Sequence, residues 1–307
     1  MRIFIFSCFA TALLSALVLP ETANATQNWQ IKQLDASKIP IAIVKDNRAN
    51  SDNGLPDGKI ATAVNNGNIK RAWYTQPTRR YAHGILGDAI EGGALVVETK
   101  SGSTFKLELP KTEVFEDITP RLVDLNGDGT TEIITIISNL KLGASLGIFR
   151  IKNKSLKRQA QSSYIGQAHR WLNIAGIADY KGNGTLQIAI VVTPHIGGWL
   201  DLFDYNGDKL KRVASHQGFS NHIIGSREQR LSATYPSNDG HRMNLALPSA
   251  NRKTLRIMSF SSNDWSQSGA VKLPSPIDKA IRSKGRGNNV EFTLGLSDGT
   301  VYSVFQR

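Results

Sequence analysis

"DLNGDGTTEIITIIS", Asp124 to Ser138, joins two halves of different physical character. The first nine residues, Asp124 to Glu132, carry four carboxylate or amide side chains: Asp124, Asn126, Asp128 and Glu132. The second half is a run of isoleucines and threonine, whose branched β-carbons suit an extended backbone. A short unbroken apolar run bounded by turn residues predicts a strand buried on both faces. The acidic half is then either a cation site or a polar turn leading into that strand.

The stretch returns 55 residues later as "AGIADYKGNGTLQIAIVVT", Ala175 to Thr193. Asp124 falls on Asp179, Gly127 on Gly182, Gly129 on Gly184, Thr130 on Thr185 and Ile133 on Ile188. Fainter copies stand at His83–Thr99 and Leu231–Ser249, and "HGILGD", "HRWLNIAGIAD" and "NHIIGS" resemble one another as lead-ins. Around these, short period-2 segments alternate with turn residues. Strand pairs are predicted over Gly92–Leu109, over Leu146–Gln159, over Gly198–Ser215 with Asn206-Gly207 as its turn, and over Phe292–Phe305 turning at Asp298-Gly299. No amphipathic helix is predicted. The pattern is that of an all-β chain built from a repeated unit of about four strands.

"DLNGDGTTEI" followed by an apolar strand resembles the FG-GAP/VCBS repeat of integrin-α-type β-propellers, and Arg71–Thr99 is similar to the opening of bacterial secreted proteins that carry such repeats. The resemblance implies a β-propeller of about five to seven four-stranded blades over residues 58–307, with residues 26–57 as an N-terminal segment that can supply a closing strand. It also implies calcium in some blade loops. The residues suit that metal. Calcium takes hard oxygens, several of them carboxylates, and Asp124, Asn126, Asp128, the Thr130 carbonyl and Glu132 offer such a set, with glycines permitting the tight turns. An EF-hand would place its last acid three residues beyond Glu132, where Thr135 stands, and would continue as a helix. In the second copy Lys181, Asn183 and Gln187 replace Asn126, Asp128 and Glu132, so one structural calcium is expected in the first loop and none in the second. The alternative is a plain Asn-Gly/Asp-Gly turn.

The chain begins Met1-Arg2, then an apolar run from Ile3 to Leu19 and the small-x-small triplet Ala23-Asn24-Ala25. This reads as a secretory signal over residues 1–25 cut after Ala25, with an uncleaved anchor as the alternative, and it places the mature chain in a periplasm or outside the cell. The single cysteine, Cys8, lies within that segment, so no disulfide is expected. Charge is uneven: Thr26–Ala144 holds fourteen Lys/Arg against fourteen Asp/Glu, whereas Tyr205–Arg307 holds fifteen against seven. Such a surface favours acidic partners, outside the cytoplasm anionic polysaccharide, lipid head groups or cell-wall polymers before nucleic acid, although the basic residues are dispersed as on an ordinary solvated surface; the expected partner is an envelope protein or an anionic glycan. No later stretch is apolar enough to span a bilayer.

His83 lies near Asp88 and Glu91, a spacing compatible with metal or acid–base work; a lead-in histidine bonded to a neighbouring strand is the plainer reading, and it serves for His169 and His222 too. His195 and Trp199 sit in the polar stretch "TPHIGGWLD" and are candidates for a ligand surface. No nucleophile-elbow, zincin, phosphate-loop or dinucleotide motif occurs. The expected function is an exported, non-catalytic binding or scaffold module at the bacterial envelope. The alternative is a propeller-fold enzyme acting on polysaccharide or another anionic polymer, which would require ionisable side chains converging at the central mouth.

Overall fold

A computed structural model describes residues 29–35, 46, 48–51, 55–64 and 67–306; the expected signal, 1–25, lies outside them. Among the described residues there is no α-helix. The chain opens with β1 (Trp29–Gln33), whose partner is the last strand. Unit one is β2 (Ala61–Thr62), β3 (Ile69–Thr78), β4 (Glu91–Thr99) and β5 (Thr104–Glu108). After β6 (Glu113–Phe115), unit two is β7 (Arg121–Val123), β8 (Glu132–Asn139), β9 (Gly143–Lys152) and β10 (Ser155–Gln161). Unit three is β11 (Leu172–Ala178), β12 (Gln187–Val192), β13 (Gly198–Tyr205) and β14 (Leu210–Phe219). Unit four is β15 (Ala233–Pro236), β16 (Met243–Pro248), β17 (Thr254–Ser261) and β18 (Asp264–Lys272). Unit five is β19 (Arg282–Lys284), β20 (Glu291–Gly295) and β21 (Val301–Gln306), completed by β1.

Within each unit successive strands pair antiparallel. Units one and two are joined into one larger sheet by β6, which touches β4 at Gly92↔Phe115 and runs beside β8 over Glu113–Phe115.

The strand that opened the reading explains how the units stack. Alternate side chains of a strand face opposite ways. Ile133 and Ile137 of β8 enter a core shared with unit one (Tyr74, Leu95, Phe115), while Ile134 and Ile136 enter a core shared with unit three (Trp171, Ile188, Ile190). In β12, Ile188 and Ile190 face unit two, and Ala189 and Val191 face unit four beside Leu245 and Met258. A further core joins units four and five through Leu231, Ile257, Phe292 and Val304. Both faces are covered, so the strands read as continuous apolar runs without alternation. Truncating a fully buried isoleucine such as Ile134 to alanine costs about 2–5 kcal/mol here.

Hairpin connectivity sends loops to two ends. At one end lie the loops between the first and second strands of each unit, which touch between units one and two, three and four, and four and five: Thr131 N–H donates to Asn68 Oδ1 (3.0 Å), Met243 N–H to the Asp179 carbonyl (2.8 Å) and Asn288 N–H to Asn238 Oδ1 (2.8 Å). At the other end lie the second-to-third-strand loops and the connections between units. Leu231–Ser249 is topologically equivalent to the two Asp loops, since residues 237–242 join β15 to β16; His83–Thr99 is not, since it enters a third strand.

Candidate functional site

The two Asp loops are built alike. Asp124 Oδ1 accepts from the N–H of Gly127 (2.8 Å) and Asp128 (3.1 Å), and Oδ2 from Gly129 (2.8 Å). Asp179 does the same with Gly182 (2.7 Å), Asn183 (3.1 Å) and Gly184 (2.7 Å). Gly127, Gly129, Gly182 and Gly184 all adopt positive φ, which lets three successive amides point at one carboxylate.

The loops part at their ninth residue. Gln187 Oε1 accepts from Tyr180 N–H (2.9 Å) and its Nε2 donates to the Thr185 carbonyl (2.9 Å), so both ends of the amide are used. Glu132 Oε2 accepts from Leu125 N–H (2.9 Å), but Oε1, which has no proton to give Thr130, is buried without a hydrogen-bond donor; its nearest cation is Arg150 at 3.7 Å. Burial pushes the Glu132 carboxyl up to about 6. Arg150 also donates to Asp128 Oδ2 (3.0 Å), whose Oδ1 accepts from Thr130 N–H (2.8 Å). In unit three the charges are exchanged: Asp204, the cross-strand partner of Gln187, pairs with Lys181 at 2.5 Å. Lys181 thus ties its loop to the neighbouring strand. Among the described residues no three His, Cys, Asp or Glu side chains form a ready metal cage.

The opposite end gathers four histidines from separate loops. His83 Nδ1 lies 2.6 Å from Glu116 Oε1, and Ser138 Oγ donates to Glu116 Oε2. Glu116 is fully buried, and burial raises its pKa. Glu91, also buried, is pushed up to about 10 by burial and by Glu116, so it is neutral at pH 7. The His83 and His169 rings stand 5.1 Å apart, and His169 N–H donates to the Tyr81 hydroxyl (2.7 Å). His222 Nε2 faces the Ser226 carbonyl at 2.8 Å and must carry the proton there, so its Nδ1 accepts from His195 Nε2–H at 2.9 Å. Burial holds His222 down to about 3 and His195 to about 4, so both rings are neutral at pH 7 and His195 Nδ1 remains a bare acceptor.

Three of these rings, His83, His169 and His195, line a cleft of about 130 Å³ with Ile85, Arg170 and Trp171. Its rim carries Ile196 and Ile224, 62% and 67% exposed. His169 (φ 59°) and Thr193 (φ 49°) adopt left-handed backbone there; for a branched residue such as Thr193 this is strained, and such strain gathers where a site constrains the chain. Trp199 is exposed on β13, and the cleft that His195 lines is bounded by other residues.

Next in sequence to Glu116, Asp117 ties segments of the chain together. Its Oδ2 accepts from the Tyr74 hydroxyl (2.8 Å) and the Arg121 guanidinium, and its Oδ1 from Gln229 (3.1 Å). Sequence reasoning did not find Glu116, Asp117, Arg150 or Arg170. Arg150 follows Phe149, the partner of Ile133, so strand register was the signal that could have placed it beside Glu132. No family model matches the chain, and no curated protein matches it.

Proposed function

We propose that the chain is an exported, non-catalytic β-propeller of the FG-GAP/VCBS type that serves as a binding or scaffold module at a bacterial envelope. Five four-stranded units in chain order, the last completed by the N-terminal strand, support a five-bladed wheel. The observation that carries the binding role is the cleft at the histidine end, where left-handed His169 and strained Thr193 hold a pocket rimmed by exposed Ile196 and Ile224. The partner is an envelope protein or an anionic glycan, in keeping with the basic C-terminal half. The test is a glycan array and an envelope pull-down with the mature protein and with Ile224→Asp. A partner held by the parent and lost by the folded variant supports the reading; equal capture by both overturns it.

One structural calcium in the first Asp loop belongs to this proposal. The orphaned Glu132 Oε1 favours it: a cation there would supply the positive partner that the Gln187 amide provides in the sister loop. Asp124, Asn126, Asp128, the Thr130 carbonyl and Glu132 would hold it, with Arg150 drawn away from Asp128. The metal would fix the loop and take no part in chemistry.

A second reading, hydrolysis of an anionic polymer, is favoured by the His83–Glu116 pair beside neutral Glu91. A base oriented by a buried carboxylate and an acid kept protonated are the parts such chemistry uses. Release of reducing ends from envelope polysaccharide, abolished by His83→Ala, would favour it; no release from a broad polysaccharide panel would exclude it for that panel.

A further inference from the structure

The histidine-end cleft has a specific chemical asymmetry. Arg170 lines it half-buried, and among the described residues its guanidinium has neither an ion pair nor a hydrogen bond. The nearby acid, Glu116, is engaged by His83 and Ser138. A larger cavity of about 410 Å³ between units two and three offers no such unmet charge, because its Arg212 and Asp201 face each other at 3.2 Å. Beside Arg170, His195 presents a bare Nδ1 acceptor. The remaining walls are the His83 and His169 rings and Thr193 on one hand, and the apolar Ile85, Trp171 and the exposed Ile196 and Ile224 on the other.

Size narrows the occupant. Sites that enclose a whole small molecule run to roughly 300–1,000 Å³, so about 130 Å³ receives one group of something larger. That group must bring an anion for Arg170, an N–H for His195 and an apolar body for the isoleucines. A sugar acid lacks the apolar body, and an acyl chain lacks the N–H. We propose that the cleft captures the C-terminal end of a partner polypeptide whose last side chain is apolar. The terminal carboxylate lies on Arg170, an arrangement suited to two parallel N–H···O bonds. The backbone N–H of the last residue meets His195 Nδ1. The side chain enters toward Trp171, and the preceding residues leave across Ile196 and Ile224. This rests on the reading of the same cleft as a binding site.

The test uses fluorescent pentapeptides that vary in the last residue, each as free acid and as C-terminal amide, titrated by anisotropy against the mature protein. Acids ending in Leu, Ile, Val or Phe are expected to bind, and amidation or Arg170→Gln to weaken them roughly tenfold or more. Arg170→Lys should restore part of the loss, and Ile224→Asp should weaken binding at an unchanged thermal midpoint. Equal binding of acid and amide overturns the carboxylate assignment and leaves a cleft that binds something else. Failure of every peptide at millimolar concentration, while an envelope partner or glycan still binds in an Ile224-dependent way, overturns the peptide-end proposal alone. Peptide binding indifferent to both Arg170→Gln and Ile224→Asp places the ligand elsewhere and overturns both readings.

Discussion

The loops Asp124–Glu132 and Asp179–Gln187 share one backbone and differ in how they meet the demand for positive charge. In each, an aspartate collects three amides. In the second, the rest is settled internally: Gln187 donates where a donor is needed, and Lys181 pairs with Asp204. In the first, Glu132 can only accept, one of its oxygens finds no donor, and Arg150 must serve Asp128 and Glu132 together. The common part is what makes the turn. The differing part is what could make one turn sensitive to its surroundings and leave the other indifferent.

The largest effect should come from the shared part. Asp124→Ala and Asp179→Ala each remove three charge-assisted hydrogen bonds and should lower stability in urea melts by roughly 2–4 kcal/mol. Similar losses support a common backbone device, while a loss at one site only breaks the comparison. Calcium comes next. At a hundredfold excess over its dissociation constant it should add about 2.7 kcal/mol, seen as a raised thermal midpoint, and Glu132→Gln should abolish that rise. No rise in the parent protein removes the metal from the loop.

Exchanging the ninth residues sharpens the contrast further. Without calcium, Glu132→Gln should stabilise by about 1–2 kcal/mol by supplying the missing donor, and Gln187→Glu should destabilise by about 1–3 kcal/mol. The pH dependence follows the same residue. A carboxyl raised from 4.5 to about 6 in the fold contributes stability below 4.5 that is lost as pH rises through 6. In calcium-free buffer the parent should therefore lose stability across that window relative to Glu132→Gln. The smallest effect belongs to Asp204→Ala, which frees a partly exposed Lys181 and should cost about 0.2–1 kcal/mol.

The all-β architecture was legible because its signals are local. Period-2 runs, Asn206-Gly207 and Asp298-Gly299 each lie within a few residues of the strands they join. The doubly buried β8 and β12 were legible for the same reason, since a strand covered on both faces shows it in every residue. The Asp loops were half legible: spacing gave the acids, but the cation opposing them comes from β9, which only register brings near. The histidine cleft was least legible. His83, His169, His195 and His222 are scattered over the chain and meet because their loops leave the same end of successive sheets. Glu116, the partner of His83, follows a short connecting strand that no periodicity announces.

Pairing of β1 with β21 means that the first strand among the described residues belongs to the last unit. Trp29 packs against Phe292, and a side chain at Gly269 would strike its indole, so the N-terminal strand also covers unit four. Its docking is the longest-range strand pairing among the described residues, the kind of contact whose closure is slow. Until then β21 offers an open edge, the kind that accepts a strand from any chain. A second copy carries the same strand, so crowding during assembly would favour exchange of N-termini between molecules. Completion of this fold is thus a step that concentration can divert.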